Sequence, residues 1–211
     1  MFDYSLTHWT TFLTAAVLLN ISPGPDIAFI LGQTMRNGKK AGFMAMFGIW
    51  AGAFIHVILA AVGLSAILAT SAIAFSIVKW IGAAYLIWLG WQAIRSNSGS
   101  FVSNSKSITK SHKSIFLQGM LIDVLNPKVA IFFLAFLPQF VSEGAGPVAA
   151  QLFLHGVLII VIAAFIEPLM IITGSQLTGY LSKNIRIGLW IDRCLGGLFI
   201  ALGIKLALSE R

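Results

Sequence analysis

Apolar runs of membrane-spanning length recur along this chain, and two of them are interrupted by polar, proline-broken turns: Asn20-Ile21-Ser22-Pro23-Gly24-Pro25-Asp26 and Asp123-Val124-Leu125-Asn126-Pro127-Lys128. Proline removes a backbone donor and crowds the preceding turn, so each stretch should break or kink its helix and strip carbonyls and amides of their helical partners. In hydrocarbon those groups must be satisfied by protein or by a water-lined cavity, which leaves helices and closed barrels as the only spanning structures. The composition fits that setting, with 58% of the 211 residues hydrophobic and only 10% charged. At about 20 residues per span, the sequence predicts an all-α polytopic membrane protein with six transmembrane helices, near residues 6–35, 42–65, 71–94, 115–139, 147–173 and 185–208. The first and fourth of these are the broken ones. The amino-terminal run has neither a basic flank nor a small-residue cleavage site, so no removable signal is expected.

The formal net charge of +7 raises a nucleic-acid reading, which the positions of the charges argue against. Arg36, Lys39 and Lys40 follow the first run, Arg95, Lys106, Lys110 and Lys113 lie between the third and fourth, and Lys183 and Arg186 between the fifth and sixth. The alternate loops are nearly free of Lys and Arg. By the positive-inside rule this places the three basic loops in the cytoplasm and both termini outside it, in a multi-pass protein. Acidic membrane lipids are then the expected partners of the basic surface. The single cysteine, Cys194, excludes a disulfide framework and a four-cysteine metal site, and is expected to be a packed helix residue. His56 and His155 lie on separate apolar runs with no second histidine at ligand spacing, so no metal site is expected. A Walker A loop is missing as well: five residues separate Gly32 from Gly38, and Lys40 stands where Ser or Thr belongs.

The segment 96–114, rich in Ser, Asn and Lys, reads as a flexible cytoplasmic linker. It divides the chain into a first three-helix repeat, 1–95, and a second, 115–211. A shift of 104 residues superposes Pro23 on Pro127 and Gly52 on Gly156. A unit with an odd number of spans reverses orientation when repeated, so the expected architecture is a 3+3 inverted repeat. Matched interrupted spans in two such halves point to a midplane binding site of a secondary transporter. Asp26 lies ten residues before Arg36 and Pro127 fourteen after Lys113, about 15 Å and 20 Å along a helix. Both breaks therefore fall near mid-bilayer, with two half-helix amino termini converging from opposite sides. Such ends suit a carboxylate.

Asp26 either caps its half-helix or handles substrate or protons, since an intramembrane carboxylate is a functional candidate by default. Lys128 either contacts substrate or bridges to Asp123 or Asp26. Glu167, before Pro168, is expected to interrupt the fifth span and is the second proton-coupling candidate. Gly48-Ile49-Trp50-Ala51-Gly52 is a small-xxx-small motif, read as helix packing within the chain, with a homodimer seam as its alternative use.

The Ser22-Pro23-Gly24-Pro25 turn, the glycine-spaced second run (Gly42, Gly48, Gly52), Lys79-Trp80-Ile81-Gly82-Ala83-Ala84-Tyr85-Leu86 with Gly90, and Asn126-Pro127-Lys128 followed by Phe132-Phe133 and Phe136-Leu137-Pro138-Gln139-Phe140 resemble, as an ordered set over nearly the whole chain, the lysine exporter (LysE/RhtB) family of amino-acid efflux proteins. The resemblance implies a bacterial inner-membrane exporter of amino acids or close derivatives, working by exchange with protons and needing no cofactor. Carried over by position, it marks Asn20, Pro23, Gly24, Pro25, Asp26, Asn126, Pro127 and Lys128, with Ser22 in the same turn, as the functional core. A zwitterionic substrate needs donors for its carboxylate, which Lys128 and the half-helix amino termini can supply, and an acceptor for its ammonium, which Asp26 can supply. The rival readings are a channel or a membrane subunit that does not itself transport. An intramembrane enzyme built on Asp26, His56 and Glu167 has no nucleophile-base or metal-ligand motif behind it.

Overall fold

The computed structural model describes residues 4–22, 24–66, 72–95, 111–183 and 185–208, and every regular element among them is helical. In chain order these are α1 (Leu6–Ile21), α2 (Pro25–Asn37), α3 (Lys39–Leu59, continued by a wide turn over Ala60–Leu64), α4 (Ala72–Arg95), α5 (His112–Val124), α6 (Pro127–Ile131, continued by Phe132–Phe136 and Leu137–Phe140), α7 (Val148–Lys183) and α8 (Ile185–Leu208). Two described helices, Lys39–Leu64 and Val148–Gly174, are long and apolar enough to cross a membrane by themselves. The pairs α1/α2 and α5/α6 are bent by 49° and 47°, and counting each as one broken span raises the number to four. Large apolar side chains such as Trp80, Ile81, Phe165, Leu169 and Trp190 lie exposed on the outer faces. In water that pattern would be an aggregation hazard; against lipid it is what a spanning helix requires.

Local chemistry explains where the helices start. Ser5 accepts from the His8 amide and Ser111 from the Ser114 amide, both as side-chain caps. Pro25 and Pro127 occupy first-turn positions, where a missing N–H costs nothing. Between α2 and α3 the chain turns on Gly38, whose φ of 82° suits a residue without a side chain. α5 begins at His112, inside the stretch 96–114 read as linker; residues 96–110 lie outside the described residues. Two expectations are corrected. Pro168 does not interrupt the fifth span, because α7 runs through it from Val148 to Lys183; one absent N–H leaves a single carbonyl to be re-satisfied, which a packed membrane helix tolerates. Cys194 is exposed on α8, while the neighbouring Gly196 is the packed position.

Glycines set the closest helix contacts. A Cβ on Gly48 would strike the Phe116 carbonyl oxygen, and one on Gly52 would lie 2.8 Å from the Met120 oxygen. Gly119 presses back on α3, 2.6 Å from the Ala45 oxygen by the same measure. The small-xxx-small face of α3 is thus spent on α5, within the chain. Gly90 and Gly196 do the same between α4 and α8, each lacking room for a Cβ beside the other's carbonyl. An aromatic core of Phe12, Phe132, Phe133, Phe136 and Phe140 with Leu137 and Leu152 fills the space between α1, α6 and α7.

Candidate functional site

The two bends meet. α2 begins after Gly24, whose extended backbone (φ −165°) caps the helix without any side-chain hydrogen bond. α6 begins after Asn126, whose side-chain oxygen accepts from the Lys128 amide at 3.0 Å. The same Asn126 side chain donates through Nδ2 to both carboxylate oxygens of Asp26, at 2.8 Å each. Lys128 reaches the other way, its Nζ donating to the main-chain oxygen of Ser22 at 3.1 Å. A Cβ on Gly24 would lie 2.9 Å from that Nζ, so the glycine leaves room for the ammonium against the first break. Asp26, Asn126 and Lys128 are all buried.

Between the breaks lies a cavity of about 50 Å³, lined by Asn20, Ser22, Asp26, Asp123, Lys128 and Glu167 together with apolar residues of α1, α3, α6 and α7. By the usual allowance of about 10–15 Å³ per enclosed water it has room for a few water molecules, and an amino acid needs it to widen. Glu167 enters from the uninterrupted α7, where Trp50 Nε1 donates to its Oε2 at 2.8 Å. Asn20 ties α1 to α7, donating to the oxygens of Ala16 at 2.8 Å and Ile159 at 3.3 Å. Three carboxylates and one ammonium are thus gathered in one buried place, an expensive arrangement in a low dielectric unless mobile cations complete it.

Residues 17–210 match the family described as LysE type translocator. The chain belongs to that family. It is 32% identical over 208 residues to a homoserine/homoserine lactone efflux protein of Salmonella typhi, an alignment covering 94% of this chain and 95% of that protein. A protein with the same description from Salmonella typhimurium (strain LT2) is 31% identical over the same shares. A leucine efflux protein of Klebsiella pneumoniae is 24% identical over 205 residues, 97% of each chain. No solved structure matches.

In this LysE-type translocator, Asn20, Ser22, Asp26, Lys128 and Glu167 line the cavity, whereas Asn126 stands behind Asp26 and positions it. Pro25 and Pro127 are exposed and shape the breaks from outside. Pro23 lies outside the described residues. Three features are not evident in the sequence. Trp50 holds Glu167 from 117 positions away. Asp123, in the second break, enters the lining, and burial with a partnerless Oδ2 is what distinguishes it. His155, read as solitary, faces His8 with Nε2 atoms 2.9 Å apart, beside Tyr4 and Trp9 at the far end of α1. Its Nδ1 is 2.8 Å from the Gln151 oxygen, which requires a proton on Nδ1, so in the neutral pair His8 donates.

Proposed function

We propose that this LysE-type translocator is a secondary active exporter of amino acids or close derivatives across the bacterial inner membrane, working by proton antiport with alternating access. The observation that carries the reading is the single ammonium of Lys128 set among three buried carboxylates in a cavity between two helix breaks. A zwitterion needs both signs. Its carboxylate fits between Lys128 and the amides of α2, which no side chain caps. Its ammonium fits among the carboxylates, with Asp26 and Glu167 as the proton-exchanging pair. The cargoes named for the relatives, homoserine, its lactone and leucine, have an amino group in common, which supports a site selective for that group.

In this reading the six spans form a 3+3 inverted repeat, residues 1–95 and 115–211 joined by the cytoplasmic segment 96–114, with both termini periplasmic. Each half contributes one break, so rocking one half against the other would carry the site from one side to the other. Protonation of Asp26 or Glu167 from outside would weaken ammonium binding, and the cargo would leave outward.

Reconstituted flux decides it. Proteoliposomes loaded with a panel of radiolabelled amino acids should show efflux of a subset, accelerated by an inward pH gradient and saturating at carrier rates. Flux indifferent to the gradient and far above carrier turnover would make the protein a channel. No flux with any amino acid would leave a subunit without transport of its own. Topology is checked by single cysteines in 96–114 after replacing Cys194: they should resist an impermeant thiol reagent in intact cells and react after permeabilisation.

A further inference from the structure

Asp123 is in the wrong place three times over for a structural residue. It is 2% exposed, and its Oδ2 is, among the described residues, the buried side-chain polar atom left without a hydrogen-bond partner. It sits in the last turn of α5, where a carboxylate opposes the helix dipole. It also shares a small cavity with two further carboxylates, Asp26 and Glu167. A native protein retains such a group only when something else compensates for it.

No neighbour donates to Oδ2. Gly52 presents only its backbone, and a Cβ there would lie 2.9 Å from Oδ2. His56 Nε2 lies 3.2 Å from the main-chain oxygen of Asp123, not from its carboxylate. Asn126 is committed to both oxygens of Asp26, and Trp50 to Glu167. Lys128, the cation of the cavity, donates one of its N–H groups to Ser22 O and keeps the others for a ligand. Asp26 and Glu167 therefore each hold a donor already, and Asp123 holds an acceptor oxygen that no other group has to give up.

We infer that Asp123 Oδ2 is the acceptor for the ammonium group of the transported amino acid, making Asp123 the residue that selects for an amino group. The inference rests on the exporter reading and deepens it. With the cargo's carboxylate at Lys128 and its ammonium at Asp123, both from the second break and its flanks, Asp26 and Glu167 remain free for proton exchange. Gly52 has a second duty, since a side chain there would push the carboxylate out of line.

The test compares an amino acid that the wild type binds with its 2-hydroxy counterpart, which keeps the carboxylate and side chain but carries no ammonium. Equilibrium binding to the purified protein in nanodiscs gives both affinities. Wild type should prefer the amino acid. Asp123→Asn should weaken amino-acid binding roughly tenfold to hundredfold, as expected for a bond between charged groups, and change hydroxy-acid binding little, so that the preference collapses. Asp123→Glu, which keeps the charge, should keep most of the preference, and it is the variant to read if the asparagine protein fails to insert. Equal losses for both ligands in Asp123→Asn, or a preference lost as fully in the glutamate variant, would overturn this inference and leave the exporter reading standing. A wild type that binds no amino acid would overturn both.

Discussion

The two helix breaks bend the chain by nearly equal angles, 49° and 47°, yet satisfy their polar groups in opposite ways. The first offers bare main chain: Gly24 caps α2 with no side chain, and the Ser22 carbonyl is left to a lysine from elsewhere. The second has side-chain groups to spare. Asn126 caps its own helix through its oxygen and reaches Asp26 through its nitrogen, while Lys128 extends to the first break. What one break lacks the other supplies, across about a hundred residues of sequence. A bend is therefore a matter of backbone chemistry that proline and glycine set locally, whereas a binding site needs the two bends to meet. Separating them would expose a carboxylate and an ammonium together, as the alternating access proposed for this protein requires.

The most drastic way to break this comparison is to remove a proton carrier. If Asp26, at the first break, exchanges the proton, Asp26→Asn should abolish accumulation against a pH gradient while sparing substrate exchange that moves no net proton. Glu167→Gln is the parallel experiment on a helix without a break, and its amide oxygen still accepts from Trp50, so the fold should hold. Full gradient-driven transport in both variants would mean that the coupling residue lies elsewhere or that the driving ion is not H⁺.

Second in size is Lys128→Met, which keeps the apolar stem and deletes the only charge the second break lends to the first. A bond between charged groups contributes about 1.5–3 kcal/mol, so affinity for an amino acid should fall roughly tenfold to hundredfold in equilibrium binding. The loss should shrink for the corresponding amino-acid amide, which has no carboxylate. Equal losses for acid and amide would make Lys128 a brace between the breaks and nothing more.

How much of this could be read in advance follows the same division. The breaks were legible because Pro25 and Pro127 act on their own turns, and the start of α2 and α6 follows from them directly. The glycine contact between α3 and α5 was half legible: the spacing of Gly48 and Gly52 announces a close approach, but not the partner. Glu167 was legible as a buried carboxylate, while its expected helix break was not borne out, because one missing amide is too small a defect to end a long helix in lipid. The Asp26–Asn126 contact, the Trp50–Glu167 bond and the His8–His155 pair depend on which faces converge, and no local rule encodes that. Asp123 is the instructive case: its residue type was in plain view, and its burial without a partner for Oδ2 marks it.

A finer cut separates the two jobs of Asn126. Serine is as good a cap as asparagine but too short to reach Asp26, so Asn126→Ser should keep α6 and release the Asp26 carboxylate. With cavity water able to replace part of the lost donor, the cost should be at the low end for a charged partner, about 1.5 kcal/mol, read as a lower Tm of the purified protein. A loss several times larger would mean that the two breaks do not form independently of their cross-contact.

The smallest effect should come from a polar pair that lies away from both breaks. His8 and His155 are joined by one neutral hydrogen bond, and His8 stacks on Tyr4 with ring centroids 4.2 Å apart. His8→Phe keeps an aromatic ring in that stack and deletes the donor, leaving His155 Nε2 without its partner in a residue only 1% exposed. A neutral hydrogen bond is worth about 1 kcal/mol net, which in a chain of this size moves Tm by about 2–4 °C. Flux and its response to a pH gradient should be unchanged, because neither histidine lines the cavity between the breaks. A variant that keeps its Tm but loses gradient-driven transport would put the histidine pair on the proton's route and extend the functional site well beyond the breaks.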